Sequence, residues 1–246
     1  MKWHENEDFW KKFSVVLFNK DRVSKAKIEV AGLLALTSIP PSSKILDLAC
    51  GVGRHTVELS LRGFKTSGLD YSAHLLELAK NYAKKKNADV EWIKSDMRKL
   101  DYNDIFDMVL SLWTSFGYFD QQVDNYRVLE NVYRSLKPGG VFVLELITTE
   151  IFERNCKPIK KIDFGKYTII EESLYKKDST KTEFYWTLLE NGRIVAKESI
   201  SHWLYSSEVL QKMLKNCGFK NITSYGDFNG ANYDENSNTI ILLSYK

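Results

Sequence analysis

Long apolar runs are missing from this 246-residue chain. No stretch approaches the roughly 20 apolar residues that cross a bilayer. The first residues, Met1-Lys2-Trp3-His4-Glu5-Asn6, lack the apolar core of a secretory leader. A cytoplasmic location without membrane contact is the expectation. Cysteine is scarce as well. Cys50, Cys156 and Cys217 are odd in number and far apart, which argues against both a disulfide framework and a zinc site. They read as reduced thiols, and no metal is expected. Charge of one sign is also missing. A formal net charge of +3 does not demand nucleic acid as a partner. The densest basic run, Lys84-Lys85-Lys86, falls at an expected helix end, where cations complement the helix dipole. There is no internal repeat. What is left, 43% hydrophobic and 27% charged, fits one folded domain, or one domain with an insertion.

Hydrophobic periodicity orders the chain. Val23, Ala26, Val30, Leu33 and Leu34 have helical spacing, and Pro40-Pro41 ends that element. Short apolar strands are predicted at 44–48, 63–70, 90–93, 106–112 and 141–146. Helices are predicted after the first strand to about 62, over 72–86, and along Tyr126, Leu129, Val132, Tyr133 and Leu136. Strands that alternate with helices imply βαβ units and a parallel sheet. Beyond Thr148 the texture changes. Segments 166–175, 181–189 and 194–204 are rich in Tyr, Trp, Thr, Ile and Val. Lys-Lys-Asp-Ser-Thr separates the first two and the hairpin signal Asn191-Gly192 the last two. This predicts an antiparallel meander inserted into the α/β domain. Ser206 or Ser207 then caps a helix that Gly218 closes, and strands near 220–226 and 238–245 finish the chain.

The densest signal is Lys44-Ile-Leu-Asp-Leu-Ala-Cys-Gly-Val-Gly-Arg-His-Thr56. It reads as a strand, a glycine turn and a helix start. Gly51 and Gly53 permit a tight turn and close approach to a ligand, and the helix that follows points free N–H groups over the turn. Asp47, at the strand end, would repel a phosphate but suit an ammonium or sulfonium group. The dinucleotide fingerprint G-x-G-x-x-G fails at Thr56, and the phosphate loop G-x-x-x-x-G-K-[ST] is absent. In open α/β sheets, ligands bind at the carboxyl ends of the strands. Asp47, Asp70, Asp96, Leu112 and Trp113 all fall there.

The segments ILDLACGVGRH, GLDYS, SDMRKL, FDMVLSLWTSFGYF and LKPGGVFVLEL resemble the motifs of class I methyltransferases that use S-adenosylmethionine (SAM). The resemblance covers most of residues 40–146. It implies an α/β, Rossmann-like, doubly wound seven-stranded sheet with an inserted antiparallel β meander. The chain would divide into residues 1–148 (helical cap and SAM-binding core), 149–205 (β insertion, as lid and acceptor region) and 206–246 (completion of the core). The resemblance also implies site residues. Asp47 and the backbone from Ala49 to Gly51, with Gly53 and Arg54, would hold the methionine part of SAM. Asp70, with Tyr71 beside it, would accept from the ribose hydroxyls. Asp96 and Met97 would meet adenine, and Leu112 would line the opposite wall.

The whole chain is similar in layout to amino-sugar N,N-dimethyltransferases and glycine/sarcosine-type N-methyltransferases. By that likeness Phe9, Trp10, Phe13, Trp113, Phe116, Tyr118, Trp203 and Tyr205 become candidate acceptor contacts. His202 and Tyr205, and behind them His55, are the candidate bases, though a neutral amine needs none. The expected reaction is in-line transfer of a methyl group to a small-molecule acceptor, an amine nitrogen foremost, with S-adenosyl-L-homocysteine (SAH) as product. Ser111-Leu112-Trp113-Thr114 replaces the Asn/Asp-Pro-Pro-Tyr/Phe signature of adenine and glutamine methylation, so nucleic acid is disfavoured. RNA methylation, a noncatalytic SAM-binding protein and a nicotinamide-dependent oxidoreductase are the alternatives. The protein is expected to be a monomer or a homodimer.

Overall fold

A computed structural model describes residues 2–177 and 179–246. Met1 lies outside the described residues, as does Asp178 within the polar separator at 176–180. The first sheet has seven strands in the order β10-β11-β5-β4-β1-β2-β3. They are β1 (Lys44–Leu48), β2 (Lys65–Asp70), β3 (Val90–Lys94), β4 (Phe106–Ser111), β5 (Leu136–Leu146), β10 (Lys220–Tyr225) and β11 (Ile240–Tyr245). β11 runs antiparallel to both of its neighbours, and the pairs from β5 to β3 are parallel. The central strands are apolar on both faces: Ile45, Leu46 and Leu48 on β1 and Met108, Val109 and Leu110 on β4 are buried. That continuous apolar run is what a parallel strand covered by helices on both sides requires.

The helices of this layer are α2 (Lys20–Thr37), α3 (Arg54–Leu61), α4 (Ala73–Lys86), α5 (Gln122–Ser135) and α7 (Ser207–Asn216). Their starts are chemically marked. The side chains of Asn19, Ser72 and Ser206 accept the N–H groups of Arg22, Leu75 and Val209, which satisfies donors that no helix turn can reach. Lys84, Lys85 and Lys86 do lie in the last turn of α4.

The second sheet is an antiparallel meander of four strands, β6 (Ile159–Phe164), β7 (Tyr167–Ser173), β8 (Lys181–Glu190) and β9 (Arg193–Trp203). Three of these were expected. The short helix α6 (Thr149–Asn155) and strand β6 were not. β6 is an exposed edge strand with two lysines, a device that discourages pairing with another chain and also dilutes the alternation from which strands are read. The second correction concerns Lys137-Pro138-Gly139-Gly140, expected as a stop between helix and strand. α5 instead passes directly into β5, and a register shift between Phe106 and Met108 absorbs the extra residues.

Helix α1 (Glu7–Leu17) joins the two layers. Phe9, Phe13, Val16 and Leu17 are spaced for one helical face and pack with Ile169, Leu188 and Ile200 of the meander. Its first residue reaches the other layer. The Glu7 carboxylate accepts from Ser72 Oγ (2.7 Å), Ala73 N (2.7 Å) and His74 N (3.3 Å) at the start of α4.

Candidate cofactor and acceptor site

A cavity of about 720 Å³ lies between the carboxyl ends of β1, β2, β3 and β4 and the inner face of the meander. That is within the range of about 300–1,000 Å³ usual for small-molecule sites. One end of it is built on the turn after β1. Ala49, Gly51 and Gly53 all have positive φ, at 59°, 57° and 72°. A Cβ on Gly51 would stand 2.9 Å from the Phe18 ring, and one on Gly53 would stand 2.4 Å from Trp92. Glycine is thus required at both positions for space as well as for φ. Gly51 faces the cavity, whereas Gly53 faces Trp92 and does not line it.

Asp70 closes this turn from the neighbouring strand. Its two oxygens accept from Gly51 N (2.8 Å) and Ser72 N (2.9 Å). Burial pushes its carboxyl up to about 6 against these bonds. Asp47 is also buried and raised, by desolvation, and its Oδ2 accepts from Thr56 Oγ1 at 2.5 Å. Thr56 therefore uses the position of the missing third glycine to hold the carboxylate. Among the described residues neither Asp47 nor Asp70 has an ion-pair partner. Tyr71, Met97 and Leu112 also line the cavity. Asp96 lines it too, but is more heavily engaged. It caps the 3₁₀ turn Met97–Lys99 and pairs with Arg98, and those bonds hold its carboxyl low although burial opposes them.

A cluster of charged groups backs the glycine turn. Arg54 Nη1 meets Glu29, and His55 Nε2 lies 2.7 Å from the same carboxylate. Burial works against the Glu29 charge, but His55 and Arg54 together hold its carboxyl low. Arg54 lines the cavity with its charge already matched. Arg22 lines it as well and differs. Its guanidinium lies 4.5 Å from the Trp113 ring centroid, donates to the Leu17 carbonyl, and has no carboxylate partner among the described residues. Burial and the nearby Arg54 lower its pKa. Trp113 and Thr114 are both left-handed, at φ 58° and 55°. Glu145 holds them there, its carboxylate accepting from Trp113 N and its carbonyl from Thr114 N.

The other end of the cavity is walled by the meander. Phe164, Ile162, Ile169, Glu171, Trp186, Phe184, Ile200 and His202 face inward. Phe9, Trp10, Trp113 and Tyr118 complete it. His202 Nδ1 lies 3.1 Å from the Trp203 carbonyl. A carbonyl only accepts, so Nδ1 carries the proton and Nε2 keeps a lone pair. Burial lowers the pKa of this ring and keeps it neutral.

Residues 45–140 match the methyltransferase domain family. The glycine/sarcosine N-methyltransferase of Aphanothece halophytica is 26% identical over 214 residues, 83% of this chain and 77% of that protein. The dTDP-3-amino-3,4,6-trideoxy-alpha-D-glucopyranose N,N-dimethyltransferase of Streptomyces venezuelae is 24% identical over 194 residues, 74% and 76% of the two chains. A SAM-dependent methyltransferase from Clostridium acetobutylicum has the same fold, with a TM-score of 0.78 at 18% identity over 97% of both chains. Residues 45–140 are a methyltransferase domain, and the chain as a whole has the fold of SAM-dependent methyltransferases.

Four of the aromatic candidates of this methyltransferase are not brought to the cavity wall. Phe13 is wholly buried on α1, stacked on Phe9. Phe116 lies in the main core beside Tyr205, which is itself 4% exposed. Trp203 donates its Nε1 to the Phe119 carbonyl, under the Lys181 ammonium. Arg22, Glu171 and His4 line the cavity and were not anticipated. The His4 ring is buried and held near a pKa of about 4, and its nitrogens have no hydrogen-bond partner among the described residues. Their signals were absent because each reaches the site from an element distant in sequence.

Proposed function

We propose that this methyltransferase moves the methyl group of SAM to the amine nitrogen of a small molecule. The observation that carries the reading is the pair of buried carboxylates, Asp47 and Asp70, with no ion pair among the described residues, at adjacent strand ends of one cavity that continues into an aromatic-walled pocket. Burying a carboxylate without a cation is costly, and a ligand that supplies hydroxyl donors and positive charge relieves the cost.

The residues present fit SAM. Gly51 presents bare backbone to the cavity, because the Phe18 ring leaves no space for a side chain there, and the orphaned ring nitrogens of His4 need a partner. Asp70 has lone pairs beyond those given to Gly51 and Ser72 and would accept from both ribose hydroxyls. Asp96, Met97 and His4 would meet the adenine end, with Tyr71 and Leu112 along the walls. Asp47 and the backbone of Ala49 and Gly51 would face the methionine amino group. Arg22, whose charge is unmatched, fits the methionine carboxylate better than Arg54, which Glu29 already holds. When bound, SAM supplies a methyl group activated by its positive sulfur. The chain's own contribution is alignment and exclusion of water by Phe9, Trp10 and Trp113. Aromatic faces also favour the positive charge that passes from sulfur to nitrogen during transfer.

Support for nitrogen as the acceptor comes from the two relatives named above as N-methyltransferases. The test is turnover with SAM against amines and their hydroxyl counterparts, read as SAH release. Methylation of amines, with the alcohols inert, is the expected result. Turnover restricted to hydroxyl compounds or RNA, or SAM binding with no acceptor, contradicts it.

A further inference from the structure

Most of the inner face of the meander is apolar, and one row across it carries charge. In register across the sheet, Ile162, Ile169, Leu188 and Ala196 form one row, and Ser173, Phe184 and Ile200 another. Between them runs Lys160, Glu171, Trp186 and Glu198. Three members of this charged row, Lys160, Glu171 and Trp186, line the cavity. Glu171 is the single carboxylate that the described part of this sheet contributes to the wall, and it sits between the Phe164 and His202 ends of it.

Glu171 is fixed in place. Its Oε2 accepts from the Trp186 indole N–H at 2.8 Å, a charge-assisted bond between directly opposed strand positions. Trp186 is itself packed against Phe9 and Phe13. Among the described residues the carboxylate is nonetheless left without an ion-pair partner. Lys160 stands across β6 from it but is exposed, and no ion pair joins the two. Glu198 is occupied with Asn6 Nδ2 at 3.3 Å. A half-buried carboxylate with one oriented donor, free lone pairs and an aromatic ring beside it is a receptor for an ammonium group, through charge-assisted hydrogen bonds and the ring quadrupole together.

We propose that Glu171, oriented by Trp186, binds the acceptor's ammonium group and takes the proton it must lose, so that the freed nitrogen lone pair attacks the SAM methyl as the methyl–sulfur bond breaks and SAH leaves; it thereby selects cationic amines over their alcohol counterparts. The proposal rests on the reading of the protein as an amine methyltransferase and adds to it the residue that enforces the choice.

The experiment uses the full chain saturated with SAH, titrated by calorimetry or thermal shift with matched pairs: glucamine against sorbitol, and ethanolamine phosphate against ethylene glycol phosphate. Wild type should bind each amine at least about tenfold more tightly than its hydroxyl partner, as expected for hydrogen bonds to a charged group. Glu171→Gln keeps an acceptor for Trp186 and should abolish that preference while SAH affinity changes less than about twofold, the two sites being separate. Trp186→Phe keeps the ring, removes the donor and should erode the preference by a smaller factor. Retention of SAH binding shows that each variant is folded. A preference that survives in both variants, or that wild type lacks, overturns the role of Glu171. The reading of the function fails separately, on the turnover assay, if wild type binds SAM and methylates only hydroxyl compounds.

Discussion

Asp70 is the residue on which structure and chemistry converge. It joins the end of β2 to the glycine turn through Gly51 N and starts the next turn through Ser72 N. Asp70→Ala should raise the SAH dissociation constant by about 10- to 100-fold, or roughly 1.5–3 kcal/mol, and calorimetry on the folded variant measures it. An unchanged constant removes the ribose assignment. The same carboxyl sets a pH dependence. Burial raises it from 3.8 to about 6. Its contribution to the stability of the ligand-free protein is therefore present below about pH 4 and lost as pH rises through about 6. Ligand binding has the opposite sign, because hydroxyl donors need the ionised form. SAH affinity should fall as pH drops below about 6, and Asp47, raised for the same reason, adds in the same direction. Titrations at pH 5 and 7.5 check this; equal affinity at both contradicts it. Strand-end residues such as Asp47, Asp70 and Leu112 were legible in the sequence because a strand, a turn and a helix fix them locally. Arg22, Glu171 and His4 were not, because the placement of α1, α2 and the meander decides where they point. Gly53 shows the converse: its spacing belongs to the motif, but its missing Cβ makes room for Trp92.

At the scale of elements, α1 is the piece that spans both layers. Its apolar face belongs to the meander and its first carboxylate to α4. Burial alone would raise the Glu7 carboxyl, but the donors of Ser72, Ala73 and His74 hold it below its usual value. The stabilisation from this cap is present above about pH 4.5, the unfolded value, and is lost as the pH falls through the lower folded value. Glu7→Ala should cost about 0.5–2 kcal/mol, the usual worth of a capping side chain. Hydrogen exchange should also speed up over residues 3–17 more than in β1 or β4. Uniform acceleration across the chain would show instead that α1 is not a separately docked element. The βαβ alternation was readable because apolar period and turn chemistry agree there. β6 was not, since an edge strand carries lysines where an inner strand carries valine or isoleucine.

For the molecule as a whole, the seven-stranded sheet supplies the ends on which a cofactor rests, and the meander supplies the wall facing it. Between the two lies an aromatic interior in which Trp3, Phe9 and Trp10 touch one another and Trp186 packs on Phe9. The seven-stranded sheet and a cover made by the insertion were expected from the resemblance; which side chains of that cover face inward was not legible, because it depends on how two layers and α1 close on each other. A ligand that binds only the folded state raises the melting temperature by mass action. The most direct measurement is a thermal-shift titration of the full chain with SAM, SAH, NADH and NADPH. SAM and SAH should each raise the melting temperature, by the equivalent of about 2.7 kcal/mol at 100 times the dissociation constant, with no effect of either nicotinamide nucleotide. Stabilisation by NADH or NADPH, with none by SAM or SAH, would contradict the account.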